Sequence, residues 1–161
     1  MTRLTLRPAS SSWLLLIPAA LISLAVSGCG GGGADVVSSG NTDTFPANLP
    51  NYHAPEEWIA LIEAAGLQEY ADLGRQLVNE GKLTVVRPPT LDAQFNAFSW
   101  ISDREIWINA PMFSRYPNVG HQATIFLHEM IHITSGESTH NGSWWSVQDQ
   151  FATYLQTHPA N

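Results

Sequence analysis

Five residues in this sequence have the types and spacing that metal-assisted hydrolysis needs: His128-Glu129-Met130-Ile131-His132. On an α-helix, residues four apart share a face, so both imidazoles can reach a single ion. Glu129 is turned about 100° from His128. Its carboxylate therefore stands beside the ion and can take a proton from a water held there. A zinc ion lowers the pKa of such a water to about 7, within reach of a carboxylate base. Ile125, Phe126, Met130, Ile131 and Ile133 supply the apolar flanks that keep such a helix packed. The alternative is an amphipathic helix whose two histidines merely line its polar edge.

A catalytic zinc takes three protein ligands and keeps one position open. His140 lies eight residues past His132, beyond a turn marked by Gly136. A chain leaving the helix at Ser135-Gly136 can fold back over that distance and present an imidazole. Glu137 is closer and anionic, and Asp149 lies further along, so spacing alone leaves three candidates for the third ligand. Tyr116 and Tyr154 are candidates for stabilising the oxyanion of a tetrahedral intermediate.

The elements that must position these groups occupy only the later part of the chain. Arg3 and Arg7 form a short positive segment, and an apolar run from Trp13 to Val26 follows. That run is shorter than the roughly 20 residues of a membrane span but suits the core of a signal peptide. It ends in Val26-Ser27-Gly28-Cys29, which resembles the lipobox of bacterial lipoproteins, with residues 1–28 removed and Cys29 acylated. Cys29 is the only cysteine, so no internal disulfide is available to the exported chain. Export and anchoring through acyl chains on Cys29 are therefore expected. Gly30, in place of an aspartate after the cysteine, leans toward an outer membrane where one exists.

Residues 29–50 are rich in Gly, Ser, Asn and Pro and read as a flexible tether. Removing residues 1–28 takes two of seven basic residues, leaving five against fourteen acidic ones and a net charge of −9. So acidic a domain repels phosphate backbones, which excludes nucleic acid as a partner class.

Residues 51–161 are long enough for one small core. Pro55-Glu56-Glu57 starts a helix that Gly66 stops, and a second helix runs from Leu67 to Asn79. Leu83 to Arg87, Ala97 to Ile101 and Glu105 to Asn109 read as strands, the last two joined by Ser102-Asp103-Arg104. The motif helix spans about residues 119–134 and a closing helix about 143–156. An α+β fold with a short antiparallel sheet follows. Trp58, Trp100 and Trp107 read as core and sheet-face residues. His53, His121 and His158 read as surface histidines.

The segment from His128 to His132, then His140, then Trp144 and Trp145, resembles the SprT-like and WLM-type minimal zinc metallopeptidases. The preceding hairpin at about 97–109 is similar to theirs as well. That resemblance implies a zincin-like domain in which His128, His132 and His140 bind Zn2+ and Glu129 is the general base. It also implies that Trp144 and Trp145 are packing aromatics. The DNA association of the SprT group does not carry over to so acidic a chain. The metzincin pattern is excluded, because Ser135 and Ser138 stand where it requires Gly and His. The expected activity is hydrolysis of a peptide or protein substrate, laid along an edge strand near Glu105–Asn109. A cell-wall peptidase or amidase, a non-catalytic zinc-binding lipoprotein and an interaction lipoprotein with a coincidental motif are the rivals.

Overall fold

The computed structural model describes residues 51–86, 94–113 and 115–160. The leader, Cys29 and the tether lie outside the described residues. Among those residues no helix is long and apolar enough to cross a membrane. The elements are α1 (Pro55–Ala64), α2 (Gln68–Asn79), β1 (Leu83–Val86), β2 (Ala97–Trp100), β3 (Glu105–Asn109), α3 (Ala110–Phe113), α4 (Val119–Ser135) and α5 (Gly142–Thr157). The domain is α+β, as expected.

Local chemistry accounts for most of the boundaries. Pro55 opens α1, where its missing N–H is no loss, and Glu57 reaches back to the Ala54 N–H. Asn118 caps α4 by accepting from the N–H groups of Gly120 and His121. Asn141 caps α5 in the same way, through Ser143 and Trp144. Gly136 ends α4 at φ 70°, a left-handed conformation that costs glycine little. The single turn α3 was not expected. It carries the fully buried Phe113 onto Trp58, at a ring separation of 5.0 Å.

The sheet departs from the antiparallel expectation. Strands β2 and β3 do form an antiparallel hairpin, pairing Ser99 with Ile106 and Phe98 with Trp107. Strand β1, however, runs parallel to β3, with Leu83 opposite Ile106 and Val85 opposite Ile108. The order is β1-β3-β2, so the sheet is mixed. After β1 the chain skips one strand position before forming β2. The hairpin then returns β3 into the gap, in β1's own direction. This placement hydrogen-bonds the most buried strand on both sides, since Ile106 and Ile108 are both fully buried. It also overturns the expected edge, because Glu105–Asn109 is central and the edges are β1 and β2.

Helix α4 is the centre of the domain. Its buried residues come from every side of the helix, from Val119 to Ile133, with only its last residues and a few others reaching solvent. A helix covered all round has no polar edge. Its neighbours are α1, α2 and α5 together with β2 and β3. Trp58 of α1 packs against Phe126 of α4 at 5.5 Å and against Tyr52 at 5.8 Å. Such aromatic pairs contribute roughly 0.5–1.5 kcal/mol beyond the area they bury.

Candidate metal centre

Two histidines one helical turn apart open the site. His128 and His132 project from α4 with their Nε2 atoms 3.2 Å apart. Both are buried, His132 completely, so they do not line a solvated edge. The left-handed turn at Gly136 sends the chain back across the end of the helix. The Glu137 carbonyl there accepts from His132 Nδ1 at 2.7 Å. Because a carbonyl can only accept, Nδ1 carries the proton and Nε2 presents its lone pair.

The same return brings in His140. Its ring lies 5.0 Å from that of His128 and 5.1 Å from that of His132. One nitrogen from each of the three histidines falls within 4.8 Å of the others. Tetrahedral zinc with Zn–N bonds of about 2.0–2.1 Å sets its nitrogens roughly 3.3 Å apart. The two α4 histidines meet that spacing, and His140 needs only a small inward shift. The Nε2 of His140 is shielded from solvent and has no hydrogen-bond partner. A shielded, unpartnered ring nitrogen in a group of three imidazoles fits a metal ion, and three imidazoles suit zinc and its first-row neighbours.

The competing third ligands stand elsewhere. The Glu137 carboxylate accepts from the Asn141 amide, and Glu137 contributes its backbone carbonyl to His132. Asp149 is exposed on α5 and outside the histidine group.

Burial sets the protonation states. His128 is pushed down to about 3 by desolvation, then by the nearby His132 and His140. Desolvation also lowers His132, against the Glu137 carbonyl, which favours its proton. Both are therefore neutral near pH 7, the form that binds metal.

Glu129 lies on the adjacent face of α4, buried against β2. Burial pushes its carboxyl up to about 7, while bonds from the Ser99 hydroxyl and backbone pull it back. Oε2 of Glu129 has no hydrogen-bond partner, so Ser99 holds the other oxygen. One oxygen is anchored and the other is available to a proton. Ser99 is a contact of the candidate site that the sequence did not single out. Its signal was faint: a hydroxyl at a position where β2 faces the core, between half-buried Phe98 and Trp100.

The two aromatics after His140 have separate fates. Trp144 is buried and packs at 4.8 Å on His128 and 4.3 Å on His140, as the resemblance implied. Trp145 points outward. The structure brings neither tyrosine to the histidines. Helices α4 and α5 run in opposite directions, with Gly120 beside Leu155 at one end and the histidines beside Trp144 at the other. Tyr116 precedes α4 and faces His121. His121 is itself seven residues from His128, roughly 10 Å along the helix axis. Tyr154 stacks on His158 at 4.5 Å, near the same far end.

Compared with protein-family models, curated proteins and solved structures, the chain matches none.

Proposed function

We propose that this chain is a zinc-dependent peptidase, exported and tethered to a membrane through acyl chains on Cys29. The single observation that carries the reading is the pairing of two incomplete groups. Three histidines converge with no carboxylate among them, and a buried carboxylate beside them keeps one oxygen unbonded. A site built only to hold metal has no use for that carboxylate, which burial makes costly to ionise.

Zinc held by His128, His132 and His140 would supply a Lewis acid, polarising a carbonyl and making a water more acidic. The chain's own groups supply the rest. Glu129 Oε2 accepts the proton of the attacking water and returns it to the leaving amine. Ser99 holds the other oxygen, so the carboxylate cannot swing away. The Glu137 carbonyl fixes the ring of His132. An extended substrate would pair with the open edge of β2, because β3 is already flanked on both sides.

The test is zinc content and peptide hydrolysis measured together on wild type, Glu129→Gln and His132→Ala. The reading expects about one zinc per chain in the first two proteins and hydrolysis in the wild type alone. Hydrolysis that survives Glu129→Gln would remove the general base and leave a zinc-binding module. Absence of zinc from metal-replete wild type would end the metal reading altogether.

A further inference from the structure

Among the described residues one large apolar side chain stands exposed, and it stands beside the histidines. Trp145 is 54% exposed. Its ring lies 6.0 Å from His140 and 4.6 Å from Trp144, almost perpendicular to the latter at 83°. Trp144 is in turn packed on His128 and His140. A continuous wall of rings therefore runs from the candidate ligands out to solvent, and Trp145 is its outer end.

Isolated exposed aromatics are common and need no explanation. Two features separate this one. It continues the ring stack of the site itself, and the capped first turn of α5 holds it there. The surrounding turn is Gly142, Ser143 and Ser146, with no ionisable group. The nearest carboxylate on this face of α5, Asp149, stands one turn further from the histidines. The Glu137 carboxylate is held at the start of the helix by the Asn141 amide, and the wall itself presents aromatic faces.

We propose that Trp145 is a specificity-determining residue: it walls a subsite for a large apolar or aromatic substrate side chain flanking the scissile bond. The inference rests on the peptidase reading above. An extended peptide advances about 3.3 Å per residue. A carbonyl presented at the three histidines therefore leaves the flanking side chain within reach of a ring next to His140. Trp145 also divides the work of the tandem tryptophans, Trp144 packing the ligands and Trp145 facing the substrate.

Hydroxamates test this without requiring turnover, since they bind a metal at the position of the scissile group. The zinc-loaded full chain would be titrated calorimetrically with acetohydroxamate and with 3-phenylpropionohydroxamate. Wild type should favour the aromatic compound by about tenfold, the equivalent of 1.4 kcal/mol. In Trp145→Ala that ratio should fall toward one with zinc content retained, and Trp145→Phe should keep most of it. An unchanged ratio in Trp145→Ala, or no preference in wild type, overturns the subsite while leaving the metal site intact. Failure of both hydroxamates to bind zinc-loaded wild type would instead overturn the peptidase reading, and this proposal with it.

Discussion

Helix α4 carries two buried polar clusters, and they are built on opposite principles. Near its start, Gln122 is fully buried and closes every bond it can make. Its oxygen accepts from the His53 N–H at 3.1 Å and the Trp58 indole at 3.2 Å. Its amide donates to the carbonyls of Asn51 at 2.6 Å and Tyr116 at 2.7 Å. Two turns later His128, Glu129 and His132 are as deeply buried, yet that cluster leaves Glu129 Oε2 and the neighbouring His140 Nε2 without partners. A buried polar group left unmatched costs about 1–3 kcal/mol. The first cluster is complete and pins the entry of the domain to its central helix. The second is incomplete, with three histidine nitrogens gathered within 4.8 Å of one another and the Glu129 oxygen left unpaired. Burial alone does not separate the two clusters. Their hydrogen bonding does.

The sharpest way to break this comparison is to remove Gln122. Gln122→Leu removes four hydrogen bonds, one buried and three part-buried, and stability should fall by roughly 3–5 kcal/mol in thermal or urea unfolding. The loss should be the same with and without zinc. A variant as stable as wild type would mean that the closed cluster is incidental.

The next largest effect separates the other cluster. Zinc at a hundredfold excess over its dissociation constant should raise wild-type stability by about 2.7 kcal/mol. His132→Ala should show almost none of that gain. If its metal-dependent shift matches that of wild type, the three-histidine site is wrong.

Glu129 provides a pH-dependent contrast in the metal-free chain. Its folded pKa of about 7 lies above the ordinary 4.5, so its ionisation opposes folding. That cost is absent below pH 4.5, grows as pH rises, and is complete above about pH 7. His128, lowered from 6.5 to about 3, has the opposite dependence: its cost appears as pH falls below 6.5. Comparing wild type with Glu129→Gln isolates the carboxylate. The variant should be more stable by on the order of 2–3 kcal/mol at pH 8–9 and about equal at pH 4. A pH-independent difference would count against a buried, strained carboxylate.

Ser99→Ala should give the smallest change. Losing a hydroxyl bond to an ionised carboxylate should cost about 1–2 kcal/mol at pH 9 and less at pH 4, where Glu129 is neutral. Equal losses at both pH values would show that Ser99 supports the strand and not the carboxylate.

What was legible in advance was local. Helical geometry alone puts residues four apart on one face, so the convergence of His128 and His132 required no knowledge of the fold. Gly136 and the prolines marked helix ends through their own backbone preferences. The alternation in β3 likewise predicted which face Ile106 and Ile108 would take. The tertiary structure decided the non-local matters: the parallel pairing of β1 with β3, the central position of β3, and the choice of His140 over Glu137 and Asp149. It also brought Ser99 to Glu129, thirty positions along the chain, and Gln122 to residues 51–53. Strand order and distant polar contacts are settled by competition among whole elements for the same buried area. A residue's near neighbours in sequence carry little record of that competition.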